Sequence, residues 1–244
     1  MFRVLLLSLG FVGASWPLAA LPSFWLSSPA LDITARIIAD ERLRPGAVEQ
    51  SLARIETKPA LWLQQPQLPL ARALARLRVA EEAMKRGSSD EADREVEAAQ
   101  QQLIIALNVT PSDSFLWLML YSVKTNRNGF DTSALRYLEQ SYLAGPHEGW
   151  VSLRRNRLAV AIFPLLEDRT QQAVVAEFAE IVDSDFIEQA ARTLTGLGWA
   201  QKELLLAALR DVDESAKISL SKRLRNEGID VRVPGIDHTE RPWR

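Results

Sequence analysis

The chain has 244 residues, a formal net charge of −2 at pH 7 and no cysteine. The balanced charge provides no field that would gather nucleic acid, and the missing thiols exclude disulfides, thiolate zinc sites, iron–sulfur clusters and cysteine nucleophiles. Since 47% of the residues are hydrophobic, the chain can bury a substantial core, which excludes a disordered body.

The first segment is an uncharged apolar stretch that lies between Arg3 and Asp32. Its core, residues 4–26, would reach roughly 34 Å as a helix, enough to cross a hydrocarbon layer of about 30 Å. We therefore predict an uncleaved membrane helix within residues 1–29; the alternative is a cleaved signal peptide and a free periplasmic protein. The charge of Arg3 before the stretch predicts a single-pass bacterial inner-membrane protein with a cytoplasmic N-terminus and its bulk in the periplasm.

The remainder of the chain carries helical periodicity almost throughout, which predicts an all-α fold. We divide it into short helices and a proline-rich linker (30–69), two helical hairpins and the following helix (70–166), C-terminal helical hairpins (167–228) and a tail (229–244). Only residues 229–233 alternate with period two. The expected helices are 31–40, 47–56, 70–87, 89–108, 112–125, 131–144, 148–163, 168–184, 185–194, 201–209 and 213–226.

Two segments share one pattern of small, large, small and proline residues at an interval of 35 residues. Small residues let neighbouring helices approach closely, and a proline ends the helix before the next unit. The segments are Ala99, Leu103, Ala106 and Pro111, and then Ala134, Leu138, Ser141 and Pro146.

This pattern resembles the second helix of the tetratricopeptide repeat, and Trp117 and Leu120 match the aromatic and leucine positions of that family's first helix. The resemblance covers residues 70–166 and implies a short α–α superhelix. It further implies a non-enzymatic, membrane-tethered adaptor or scaffold that binds a peptide of another protein. Residues 112–125 and 149–162 would line the groove.

By the same resemblance, the expected partner is a protein of an envelope complex, in polysaccharide export or secretion, and not a nucleic acid. Two alternatives stay open. One is an envelope glycan hydrolase, which would need a carboxyl group with a raised pKa in a cleft. The other is a structural subunit that forms homo-oligomers.

The candidate partner-binding residues are aromatic and arginine side chains of the central region. Arginine binds carboxylates through a two-pronged guanidinium, although the alternative is a solvated face with salt bridges to the adjacent acidic helix. The aromatic residues have a second interpretation as core. The candidates are Trp117, Tyr121, Trp150, Arg154, Arg155 and Arg157.

The sequence contains no motif that indicates catalysis. His147 and His238 are the two histidines, and neither has a serine, carboxylate or histidine at a diagnostic spacing. No phosphate loop or dinucleotide-binding glycine motif is present. We therefore predict no catalytic residue, no cofactor and no metal.

Overall fold

The computed structural model describes residues 10, 30–39, 41, 44, 46–57, 67–128 and 131–236, and every regular element within these ranges is helical. The predicted all-α fold is confirmed for this part of the chain. Residues 229–233 are irregular backbone. Short 3-10 helices lie at Thr132–Ala134, Phe163–Leu165, Trp199–Gln201 and Ala208–Asp211. The α-helices are α1 (30–38), α2 (Ala47–Glu56), α3 (Gln67–Lys85), α4 (Ser89–Val109), α5 (Ser114–Asn128), α6 (Leu135–Ala144), α7 (Gly149–Ala161), α8 (Asp168–Asp183), α9 (Ile187–Thr195), α10 (Lys202–Ala207) and α11 (Glu214–Asn226).

The expected bounds of α3 were wrong at its start. We expected the linker to end at residue 69, but the helix begins at Gln67 and includes Pro69 in its first turn. Proline is tolerated there because the first backbone N–H groups of a helix have no partner within the helix.

The chain divides into two compact units, Met1–Pro111 and Ser112–Arg244. In the first unit, α3 packs against both α2 and α4. The core consists of small side chains of α3 between larger aliphatic ones, which permits close helix packing. Its buried members include Ala30, Ile33, Val48, Leu52, Ile55, Ala71, Ala75, Val79, Ala83 and Ala92.

In the second unit, two pairs of consecutive helices pack together, and helices also contact the next but one along the chain. Helix α5 packs on α6, and α7 packs on α8. In addition, α5 contacts α7, α6 contacts α8, α7 contacts α9, and α8 contacts α10. Helix α11 returns to pack against α8 and α9. Helix α7 therefore lies between α5 and α9 and against α8, which gives it a wide buried face.

The predicted membrane helix, residues 4–26, lies outside the described residues except for Gly10. Among the helices that the structure does describe, none is both long enough and apolar enough to cross a membrane.

Candidate functional site

Helix α7 carries four of the six candidate residues, and its helical phase separates them. Positions one and four residues apart are buried: Val151, Ser152, Arg155, Asn156, Ala159 and Val160. Residues three and four apart share a face of a helix, and the positions between the buried ones are half-buried (Leu153) or exposed (Arg154, Arg157 and Leu158). As a result, Arg155 points into the core, whereas Trp150, Arg154 and Arg157 lie on the surface.

The exposed face of α7 combines an aromatic ring, two arginines and an aliphatic side chain. Trp150 is 47% exposed and Leu158 is 36% exposed. One side of the Trp150 ring packs on Phe115 of α5, with ring centroids 4.6 Å apart. Arg154 and Arg157 lie between Trp150 and Leu158 along the helix and are exposed. We call Trp150, Arg154, Arg157 and Leu158 the α7 stripe.

Arg155 does not belong to this surface, and its assignment as an accessible partner-binding residue was wrong. Its side chain is fully buried and forms an ion pair with Glu177 of α8. The alternative interpretation was a solvated face with salt bridges to the adjacent acidic helix. Arg155 does form a salt bridge to that helix, but the pair is not solvated, because Glu177 is also buried.

All five N–H groups of the Arg155 guanidinium have an acceptor. Nε donates to Glu177 Oε1 at 3.1 Å, and Nη2 donates to the same oxygen and to the carbonyl of Gly145 at 3.1 Å. Nη1 donates to the carbonyl of Ser141 at 2.6 Å and to its hydroxyl at 3.3 Å. The guanidinium also lies 4.1 Å from the centroid of the Tyr142 ring. Arg155 therefore ties the last turn of α6 to α8.

The second oxygen of Glu177 extends this buried network. Tyr142 donates its hydroxyl to Glu177 Oε2 at 2.8 Å, and Asn156 Nδ2 donates to the carbonyl of Val174 at 2.8 Å. Burial, and then the negative charge of Glu177, raise the pKa of Tyr142 well above its usual value of 10.0. Tyr142 therefore stays a protonated donor at physiological pH.

The predicted site residues did not include Glu177 and Tyr142, which contact Arg155, or Asn156, which contacts Glu177. The available signal was the phase of α7, because Val151 and Ala159 lie four residues on either side of Arg155 and place it on the apolar face. Nothing in the local sequence indicates Glu177, which lies 22 residues further on.

The two candidates of α5 take different positions. Tyr121 is buried, so its assignment as a contact for a partner was also wrong; burial raises its pKa. Trp117 is half-buried and stacks on Tyr137 of α6, with centroids 6.2 Å apart and planes inclined by 18°. The hairpin of α5 and α6 thus uses Trp117 as part of its packing.

An open groove of about 630 Å³ runs along α8. Its walls are mostly small apolar side chains, with one carboxylate at the start of α8. The lining residues are Phe163, Asp168, Gln171, Gln172, Val175, Ala176, Ala179, Leu204 and Ala208. The groove provides apolar contact area but no group of titratable side chains.

The first unit has a cleft of about 560 Å³ beside α2 and α4 that contains four glutamates. Arg76 pairs with Glu56 and with Glu95, and Arg86 pairs with Glu49 and Glu91. Each carboxylate of this cleft therefore has a cation beside it, and the pairs link α2, α3 and α4.

His147 is exposed, and its Nδ1 lies 3.2 Å from Oε1 of Glu180 in α8. His238 lies outside the described residues. Within the described part of the chain, no three His, Asp or Glu side chains are placed to hold a metal ion.

No family model matches the chain, and neither a curated protein nor a solved structure matches it.

Proposed function

We propose that this protein is a non-enzymatic scaffold built from tetratricopeptide-like helical hairpins, and that it binds another protein through the α7 stripe. The observation that carries the proposal is the half-exposed Trp150, held against Phe115 on one side and open on the other. A large aromatic side chain fixed by packing is a common anchor in protein interfaces, since it loses little entropy on binding.

The packing order of the second unit supports the repeat interpretation. In a stack of hairpins, first helices contact first helices and second helices contact second helices. The contacts of α5 with α7, of α7 with α9, of α6 with α8 and of α8 with α10 follow this order. The return of α11 onto α8 and α9 is a departure, and in this proposal α11 covers the end of the stack.

The repeat pattern supports the same interpretation residue by residue. Its small and large positions are all buried, as close helix contacts require. They are Ala99, Leu103 and Ala106 of α4, Ala134 just before α6, and Leu138 and Ser141 of α6.

The hydrolase alternative needs a carboxyl group with a raised pKa in a cleft. Burial raises the pKa of Asp113 and of Glu139. Neither residue lines the groove along α8, so no observation favours this alternative over binding. The membrane attachment and the role in an envelope assembly rest on residues 4–26 and on the resemblance, and they belong to the proposal on those grounds.

Photo-crosslinking tests the proposal. A photoreactive amino acid replaces Ala161, an exposed residue of α7 one turn beyond Leu158, in the full chain, and in a control variant it replaces Lys222, an exposed residue of α11. We expect a discrete crosslinked species in cells from position 161, and its loss when Leu158→Glu is added. Equal crosslinking from both positions would overturn the proposal. A crosslinked species composed only of this chain would instead support the self-assembling subunit.

A further inference from the structure

Charge is segregated between the first and second helices of the two hairpins in the second unit. The first helices, α5 and α7, contain five basic residues and no acidic one. The second helices, α6 and α8, contain five acidic and two basic residues. The segregation exists although the net charge of the whole chain is only −2. Because α5 contacts α7, the two basic helices lie side by side.

One of the three arginines of α7 is buried and two are exposed. Arg155 is cancelled by the buried carboxylate of Glu177. Arg154 and Arg157 are exposed, and within the described part of the chain Arg157 forms no ion pair. The nearest acidic side chain in the sequence is Glu148, which precedes α7 and accepts a hydrogen bond from Ser114 Oγ at 2.5 Å. The α7 stripe thus carries two exposed guanidinium groups between its two apolar side chains.

The order of side chains along α7 indicates the shape of the complementary ligand. Trp150 and Leu158 lie eight residues apart, about 12 Å along a helix at about 1.5 Å per residue. Arg154 and Arg157 lie between these two apolar contacts. A ligand that matches this order has two apolar groups and, between them, carboxylates that a guanidinium can bind with two hydrogen bonds.

We propose that the α7 stripe recognises an acidic amphipathic segment of a partner protein. Its apolar side chains contact Trp150 and Leu158, and its carboxylates pair with Arg154 and Arg157. This inference rests on the proposed function and assigns the chemistry of the partner. An acidic glycan would satisfy the arginines but would leave Trp150 and Leu158 without apolar contacts. A lipid surface offers its acyl chains only to side chains that insert roughly 5–10 Å into it. Trp150 and Leu158 are only 47% and 36% exposed, and Trp150 is held against Phe115, so the peptide is the better match.

Fluorescence anisotropy with the full chain in mild detergent tests the inference. The probe is a labelled amphipathic peptide of leucine, alanine and glutamate, and its glutamine analogue is the control ligand. We expect saturable binding of the acidic peptide and at least about tenfold weaker binding of the analogue, because charge-assisted hydrogen bonds are about twice as strong as neutral ones. Higher salt should weaken the binding, since exposed charges are screened.

Two variants with the same change in net charge distinguish a specific site on α7 from nonspecific electrostatic attraction of the peptide. Arg154→Glu with Arg157→Glu should reduce the affinity at least about tenfold, while Lys222→Glu with Arg225→Glu changes the charge equally on α11 and should leave it unchanged. Equal loss in both variants would overturn the inference. Binding of dihexanoyl-phosphatidylglycerol or oligogalacturonate through the same arginines, without binding of the peptide, would also overturn it.

Crosslinking from position 161 distinguishes the scaffold function from the acidic chemistry of the partner. A crosslinked protein partner that persists in the Arg154→Glu, Arg157→Glu variant would leave the scaffold function standing and refute the acidic partner. Absence of both the crosslink and the peptide complex would refute both.

Discussion

Arg155 of α7 and Glu177 of α8 form an ion pair that is shielded from solvent on both sides, with the guanidinium Nη2 2.5 Å from Oε1. Removing charges from water is costly, and the remaining donors and acceptors of the pair must be satisfied for it to persist. Here the backbone of α6, the hydroxyl of Tyr142 and the amide of Asn156 satisfy them. The pair therefore stabilises one arrangement of α6, α7 and α8.

Glu177→Leu should lower the free energy of unfolding by about 3–5 kcal/mol, because it leaves the buried Arg155 charge without a counter-charge. Arg155→Met should have a similar effect. The double variant should recover at least half of the loss, since two apolar side chains need no counter-charge. Urea unfolding followed by circular dichroism measures all three. Glu227→Gln, which breaks a surface pair with Arg223, is the control and should cost less than about 1 kcal/mol. Additive losses in the double variant would contradict the coupling.

Alkaline pH should destabilise the second unit through Tyr142. Its pKa is raised in the folded protein, so above pH 10.0 the unfolded chain loses the phenolic proton while the folded chain keeps it. The free energy of unfolding should therefore be insensitive to this group below that pH and fall as the pH rises above it. Tyr142→Phe should flatten the alkaline limb of the stability–pH profile. An identical alkaline decline in both proteins would show that Tyr142 is not the responsible group.

Gly145→Ala should destabilise the fold, whereas Gly149→Ala should not. A Cβ at Gly145 would lie 2.8 Å from Ser114 Cβ and 2.9 Å from its hydroxyl, while a Cβ at Gly149 meets nothing within 4 Å. We expect a loss of about 1–3 kcal/mol at position 145 from overpacking. At position 149 we expect a small gain, since alanine is the better helix former. Ser114→Gly should restore part of the stability of Gly145→Ala; similar melting temperatures for both alanine variants would refute the close contact.

Ala99→Trp and Ala134→Trp should each destabilise the protein, because both alanines are buried at helix contacts where overpacking costs about 1–3 kcal/mol or more. Ala207→Trp is the matched control, since Ala207 is exposed. Thermal unfolding measures the effect. A melting temperature unchanged by the substitution at Ala99 or Ala134 would contradict the repeat pattern.

Asp185→Gly should stabilise the protein. Asp185 follows α8 with a φ of 62°, and the N–H groups of Asp185 and Phe186 bind the carbonyls of Val182 and Ile181 at 3.0 and 3.1 Å. Helix α11 ends with the same pair of hydrogen bonds around Gly228, whose φ is 75°. Glycine has no Cβ to strain in this conformation, so the gain should be of the order of 1 kcal/mol. Gly228→Asp should lose a comparable amount, and a loss on Asp185→Gly would indicate that the carboxylate has another role.

The sequence predicted the helices closely because their periodicity and end signals are local. The predicted bounds of α2 match the structure, and α8 starts at the predicted Asp168 and ends one residue before the predicted end. The segment predicted as one helix at 201–209 is instead α10 between two 3-10 helices. Such breaks depend on how short segments pack on α8, which the local pattern does not contain.

The candidate site was predicted less well than the helices, since burial of a charged residue depends on a partner far along the chain. A run of three arginines around an asparagine is typical of a solvated face, and Arg154 and Arg157 follow that rule. Arg155 departs from it because α8 supplies Glu177, and Ser141 of α6 and Gly145 just after α6 supply two carbonyl groups. Only the phase of α7 could have separated the three.

The Arg155 network also constrains the number of residues that separate its members in the sequence. Arg155 bonds to Ser141 at a separation of 14 residues and to Glu177 at 22, and Tyr142 bonds to Glu177 at 35. One residue inserted within α7 before Arg155 would turn it about 100° around the helix axis and away from these partners. Homologous chains should therefore conserve these intervals while their surface residues diverge. A serine, tyrosine, arginine and glutamate at these spacings would then form a signature by which remote relatives can be recognised.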